Sequence, residues 1–144
     1  MSFVPFVWRV VGSKHVVIDG SAAINAALVA DAFADWQAIA LTAPTLLWSE
    51  AASSFSQLRW RGEITSAQAE AAIRRLLAAP ITFVPSRDVI AEAVVLAREL
   101  GWAKTYDAEY VVLARRLDAP LLTVDARLRA ARVDRVTVIG PNDL

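Results

Sequence analysis

Four acidic residues stand where an apolar chain has least reason to put a charge. Asp19 ends the run "HVVID" (15–19) and Asp125 ends "PLLTVD" (120–125), so two apolar segments each terminate in a carboxylate. A short continuous apolar run of this kind reads as a strand buried on both faces. If the two strands are parallel, both carboxylates emerge at one sheet edge, the edge where open parallel sheets bind ligands. Glu50 shares a helical face with Leu46, Leu47 and Ser54, a costly place for a charge unless something satisfies it. Asp107 lies in the first turn of "TYDAEYVVLARRLD", and its neighbours at helical spacing, Val111 and Ala114, put it at the border of the buried stripe.

Each acid also has a plainer role open to it. Aspartate is a common helix cap, Asp107 suits the positive end of a helix dipole, and Glu50 can reach solvent at the rim. Converging on one site, the four would repel one another and their pKa values would rise. A hard divalent cation relieves that conflict, and an all-oxygen ligand set favours Mg²⁺ or Mn²⁺ over zinc. A cation held in this way positions and activates a water while neutralising charge on a phosphodiester.

Composition narrows the classes. The chain has no cysteine and one histidine, His15, which excludes thiolate chemistry, disulfides and Cys/His zinc sites. His15 stands at a strand entrance and reads as structural. Fifteen basic residues balance fifteen acidic ones, so no global electrostatic footprint for nucleic acid exists. Locally, six arginines (115, 116, 127, 129, 132, 135) face three aspartates (118, 125, 134), a pattern read as a solvated helical face. The chain is 56% hydrophobic with a mean hydropathy of +0.42, yet no apolar run approaches the roughly 18 residues of a membrane span. "FVPFVWRVV" is broken by Pro5 and Arg9 and lacks the features of a signal peptide. A cytoplasmic protein is expected, with surplus apolar surface covered by an oligomeric or protein partner.

The elements that must position the acids follow from periodicity and punctuation. One domain is expected over 144 residues, with strands at 15–19, 81–85, 120–125 and 136–140. Helices are expected from Ser21, which reads as a cap, from 31 to 40, and from Pro44 to a stop at Gly62. Others open at the hydroxyl of "TSAQAEAAIRRLLAAP", run through "SRDVIAEAVVLAREL" to Gly101, and carry Tyr106, Tyr110, Leu113 and Leu117 on one stripe. Strands alternating with helices predict an α/β sandwich around a mostly parallel sheet of four to five strands. Trp48 beside Glu50, and Trp60 in "RWR", read as packing residues, in the core or at an interface, in preference to base-stacking ones. Lys104 reads equally as a phosphate contact or a surface lysine.

The chain resembles the PIN-domain ribonucleases, specifically the VapC-type toxins of type II toxin–antitoxin systems. The resemblance rests on "VVIDGSAAI", "PTLLWSEAASSF", "TYDAEYVVLARRLDAP" and "LLTVDARL", in that order, and runs from about His15 to the C-terminus. It implies a PIN-like α/β/α sandwich, with Asp19, Glu50, Asp107 and Asp125 as the acidic quartet around Mg²⁺ or Mn²⁺ and Ser21 and Thr123 as supporting hydroxyls. It further implies endonucleolytic hydrolysis of RNA, a homodimer, and silencing by a cognate VapB-like antitoxin. Residues 1–14 stand as an N-terminal extension to that pattern. Two other readings remain: Mg²⁺-dependent phosphotransfer with Asp19 as nucleophile, although "DGSAA" lacks a second acid two residues on, and a non-catalytic interaction module whose acids are caps and rim charges.

Overall fold

The computed structural model describes residues 14–144, so the extension lies outside the described residues apart from Lys14. Lys14 opens β1 (Lys14–Ile18), whose Val16, Val17 and Ile18 are buried. Such a run fits only the middle of a sheet. β1 accordingly pairs on one side with β2 (Ile39–Pro44) and on the other with β4 (Leu121–Leu122). β3 (Ile81–Val84) and β5 (Val138–Ile139) complete a five-stranded sheet, ordered β3-β2-β1-β4-β5 and parallel throughout.

The chain builds outward from β1 to β3, then returns past β1 to add β4 and β5. This reversal makes the gap between β1 and β4 the topological switch point, where the loops leaving neighbouring strands diverge and open a crevice. Right-handed crossovers then place the helices on both faces. α1 (Gly20–Ala27), α2 (Leu46–Trp60) and α3 (Ser66–Ala78) pack on one another on one side. α4 (Ile90–Leu100) packs on α5 (Tyr106–Leu117), which lies across β1, β2 and β4 on the other. The short α6 (Ala126–Ala130) joins β4 to β5.

Several sequence expectations are corrected. The helix expected over 31–40 is a single 3-10 turn at Ala34–Trp36, followed by β2. Asp31 takes a left-handed backbone (φ 64°) that no helix continues through, and Phe33 and Trp36 pack edge to face at 5.9 Å. Strand β2 is not legible in "IALTAP", where only Ile39 and Thr42 are β-branched and the run ends in proline; Pro44 is tolerated as the last residue of the strand. Ser21 is not the cap of α1. Asp19 is, its Oδ1 accepting the Ala22 N–H at 2.9 Å. The Tyr106 end of the α5 stripe also departs from expectation, being 49% exposed while Tyr110 and Leu113 are buried.

The strands expected at 120–125 and 136–140 shorten to Leu121–Leu122 and Val138–Ile139, whereas the helix boundaries follow their punctuation. Thr65 and Gln68 form a capping box at the start of α3. Gly62 and Gly101 take the left-handed conformation (φ 74° and 70°) that ends α2 and α4. Arg75 of α3 donates to the Ala27 carbonyl at 2.9 Å, satisfying the C-terminus of α1. Among the described residues no helix is long and apolar enough to cross a membrane.

Candidate metal centre at the switch point

The register of β1 against β4 pairs Ile18 with Leu122, and the Asp19 N–H donates to the Leu122 carbonyl at 3.0 Å. Asp19 therefore leaves β1 directly beside Thr123, which leaves β4. The two strand ends are tied by hydroxyls. Ser21 Oγ donates to Asp19 Oδ1 at 2.7 Å and accepts the Val124 N–H at 3.1 Å. It also lies 3.1 Å from Thr123 Oγ1. An ionised Asp19 only accepts, so the Ser21 proton points to it and Thr123 must donate to Ser21. Thr123 Oγ1 in turn accepts the Asp125 N–H at 3.0 Å. Both supporting hydroxyls thus connect Asp19 to the backbone of Asp125 across the crevice.

Glu50 comes from the other side of Asp19. In α2, Leu47, Ala51 and Phe55 form the buried face, and Glu50 sits at its margin with its carboxylate against the first residue of α1. A Cβ on Gly20 would lie 3.0 Å from Glu50 Oε1, so the glycine makes room for this acid. Tyr110, buried in α5, donates its hydroxyl to Glu50 Oε1 at 2.5 Å. Asp107 is one helical turn before Tyr110 in α5 and lines a cleft of about 540 Å³ with Glu50, Trp102, Lys104, Tyr106 and Arg127. Asp19 and Asp125 are not on its wall.

The charges feel one another. Burial holds the Asp19 carboxyl above its ordinary value, with the nearby Thr123 and Ser21 hydroxyls and the Ala22 N–H opposing and the Asp107 charge adding to the effect. Glu50 is pushed up by burial and by the charges of Asp107, Asp19 and Glu109, with Tyr110 opposing. Asp107 is raised by burial and by Asp125, with Arg127 opposing. Asp125 alone is held low, chiefly because Arg127 donates to it. The Asp107 charge thus acts on Asp19 and Glu50, and that of Asp125 on Asp107, although only Glu50 and Asp107 share the cleft wall.

The donor set suits a hard cation. It is all oxygen, three of its four carboxylates are held at a disadvantage when charged, and a divalent ion relieves that disadvantage. The side chains stand apart from one another: among the described residues, no three His, Cys, Asp or Glu side chains are arranged to hold an ion. Asp125 has turned along α6, where Oδ1 accepts the Arg127 N–H at 2.8 Å and Oδ2 the Arg127 guanidinium at 3.0 Å. The cap role and the cluster thus coexist in Asp19 and Asp125, because capping occupies only one oxygen of each.

Three further residues belong to this region and were not singled out from sequence. Glu109 is 4% exposed, with Oε1 lacking a hydrogen-bond partner, and burial raises its pKa while Ser86 opposes. The signal is an acid inside "AEYVV", an otherwise apolar stretch. Tyr110 was read as packing only, and a phenol carries no motif for its partner. Arg127 was counted with the solvated arginines. Of the tryptophans, Trp48 stacks on Phe83 at 4.2 Å, a packing role, whereas Trp60 is 81% exposed in this chain.

With the geometry established, the fold can be compared. The structure of PAE2754 from Pyrobaculum aerophilum matches with a TM-score of 0.72 at 20% identity, covering 96% of this chain and 92% of that one. VapBC2 from Rickettsia felis, in a structure bound to a DNA fragment from their promoter, matches with a TM-score of 0.62 at 9% identity, covering 88% and 98%. The chain has the PIN-like fold of the VapC structures. A toxin–antitoxin complex from Klebsiella pneumoniae matches as well, with a TM-score of 0.56 at 18% identity over 85% and 96%. No protein-family model and no curated protein matches. At these identities the likeness concerns the fold alone.

Proposed function

We propose that this protein is an Mg²⁺- or Mn²⁺-dependent endoribonuclease, the toxin of a toxin–antitoxin pair, acting in the cytoplasm as a homodimer and silenced by a VapB-like antitoxin. The observation that carries the reading is the placement of the acids at the switch point of a PIN-like sheet: Asp19 leaves β1 tied through Ser21 and Thr123 to the Asp125 backbone, and Glu50, packed against Gly20, shares a cleft wall with Asp107. The fold shared with toxin–antitoxin structures supports the antitoxin partner.

Asp19, Glu50, Asp107 and Asp125 would hold the ion. A divalent cation there supplies charge neutralisation for a phosphodiester and a polarised water to attack it. The chain's own groups do the rest. Ser21 and Thr123 orient Asp19 and fix the distance between the ends of β1 and β4. Tyr110 fixes the Glu50 carboxylate. Lys104 and Arg127, on the cleft wall, offer cationic contacts to the RNA backbone, and Trp102 and the half-exposed Tyr106 offer faces for bases to stack on.

The test is cleavage of single-stranded RNA with Mg²⁺ or Mn²⁺, repeated with EDTA and with Asp107→Asn. Chelation should abolish cleavage. The variant should lose about 100-fold or more, as expected when the several kcal/mol supplied by a bound ion are lost. Undiminished cleavage by Asp107→Asn would remove that residue from the ligand set, and cleavage unaffected by EDTA would end the metal-dependent reading.

A further inference from the structure

The acidic cluster already touches one cation, and it belongs to the chain. Both oxygens of Asp125 are engaged by residue 127: the backbone N–H holds Oδ1 and the guanidinium Nη2 holds Oδ2. The guanidinium lies on the same cleft wall as Glu50 and Asp107. Its charge acts on Asp107 as well as on Asp125. Lys104 lines the cleft too, but makes no ion pair among the described residues.

We propose that Arg127 is a built-in counter-ion for this edge, occupying Asp125 Oδ2 until a divalent cation takes the carboxylate from it. The inference rests on the metal-dependent reading above. Three observations fit an exchangeable partner in place of a structural one. The Arg127 side chain is 85% exposed, so solvent screens the pair and little holds it. The N–H bond to Oδ1 does not involve the side chain, so α6 keeps its cap when Oδ2 is released. Asp19, Glu50 and Asp107 make no ion pair among the described residues, which leaves them to an ion carrying two charges. Exchange leaves the guanidinium beside Lys104 in the cleft, free to meet an anionic ligand.

Mn²⁺ titration by calorimetry on the full chain separates the possibilities, using the parent, Arg127→Met and Lys104→Met. Both side chains are exposed, so neither variant threatens the fold. Arg127→Met should bind Mn²⁺ about two- to fivefold more tightly, the range that loss of a competing exposed ion pair allows, and Lys104→Met should gain distinctly less. Unchanged or weaker binding by Arg127→Met overturns the counter-ion role while leaving the metal site standing. An equal gain in both variants also overturns it, by showing a general charge effect. A parent that binds no Mn²⁺ instead overturns the metal-dependent reading itself.

Discussion

Tyr110 shows how one side chain serves packing and chemistry together. Its ring is part of the core, and its hydroxyl reaches Glu50 Oε1, a carboxylate that burial and three neighbouring charges already disfavour. Burial and the charges of Glu50, Asp19 and Glu109 push the phenol's own pKa far up, so it stays a donor throughout the working pH range. Replacing Tyr110 by Phe leaves the ring in place and Glu50 without its donor. Unfolding in urea should show a loss of about 1–2 kcal/mol, the cost of removing a hydrogen bond to a charged group. A variant as stable as the parent would mean that water replaces the phenol. Asp19 and Asp125 make a related point: a capping aspartate uses one oxygen, so a cap and a candidate ligand need not be alternatives. From sequence those roles compete, and only the placement of the second oxygen separates them.

Among the elements, α2 and α3 divide the work of stability and function. α2 carries Glu50 on the margin of its buried face, and Ser86 Oγ accepts the Leu46 N–H at its first turn. α3 carries none of the acids, and its capping box is exposed. Thr65→Ala should therefore lower stability by about 1 kcal/mol, read from the denaturation midpoint, with RNA cleavage below that transition unchanged. A fall in cleavage rate without a fall in stability would connect α3 to the site. The helices were largely legible because caps, left-handed glycines and 3.6-residue periodicity are local signals. Strand β2 was not. "IALTAP" carries no β-branched pattern, and its strand conformation comes from pairing with β1 and β3, partners distant in sequence.

For the molecule as a whole, the charge balance of the crevice couples stability to pH and to cations. Asp19, Glu50, Asp107 and Glu109 all have folded pKa values above their ordinary ones of 3.8 or 4.5. Between those ordinary values and the raised ones, the folded chain holds more protons than the unfolded chain, so stability falls as pH rises. Asp125 has the opposite shift, but its contribution changes only below about its unfolded value and is constant near neutrality. In the absence of divalent ions, the thermal midpoint should rise as pH is lowered from neutrality toward those ordinary values. Excess Mn²⁺ should raise it more at the higher pH, where the carboxylates are deprotonated. A midpoint that is flat in pH and indifferent to Mn²⁺ would contradict the coupled cluster. By itself the sequence determined the α/β alternation, the aspartates that follow β1 and β4 and the two helical acids, because each is written in a few adjacent residues. Tertiary structure alone decided that β1 and β4 are neighbours at the switch point, that Gly20 yields its space to Glu50, and that Arg127 folds back on Asp125. Those facts depend on strand order and on contacts between distant segments, which no local pattern encodes.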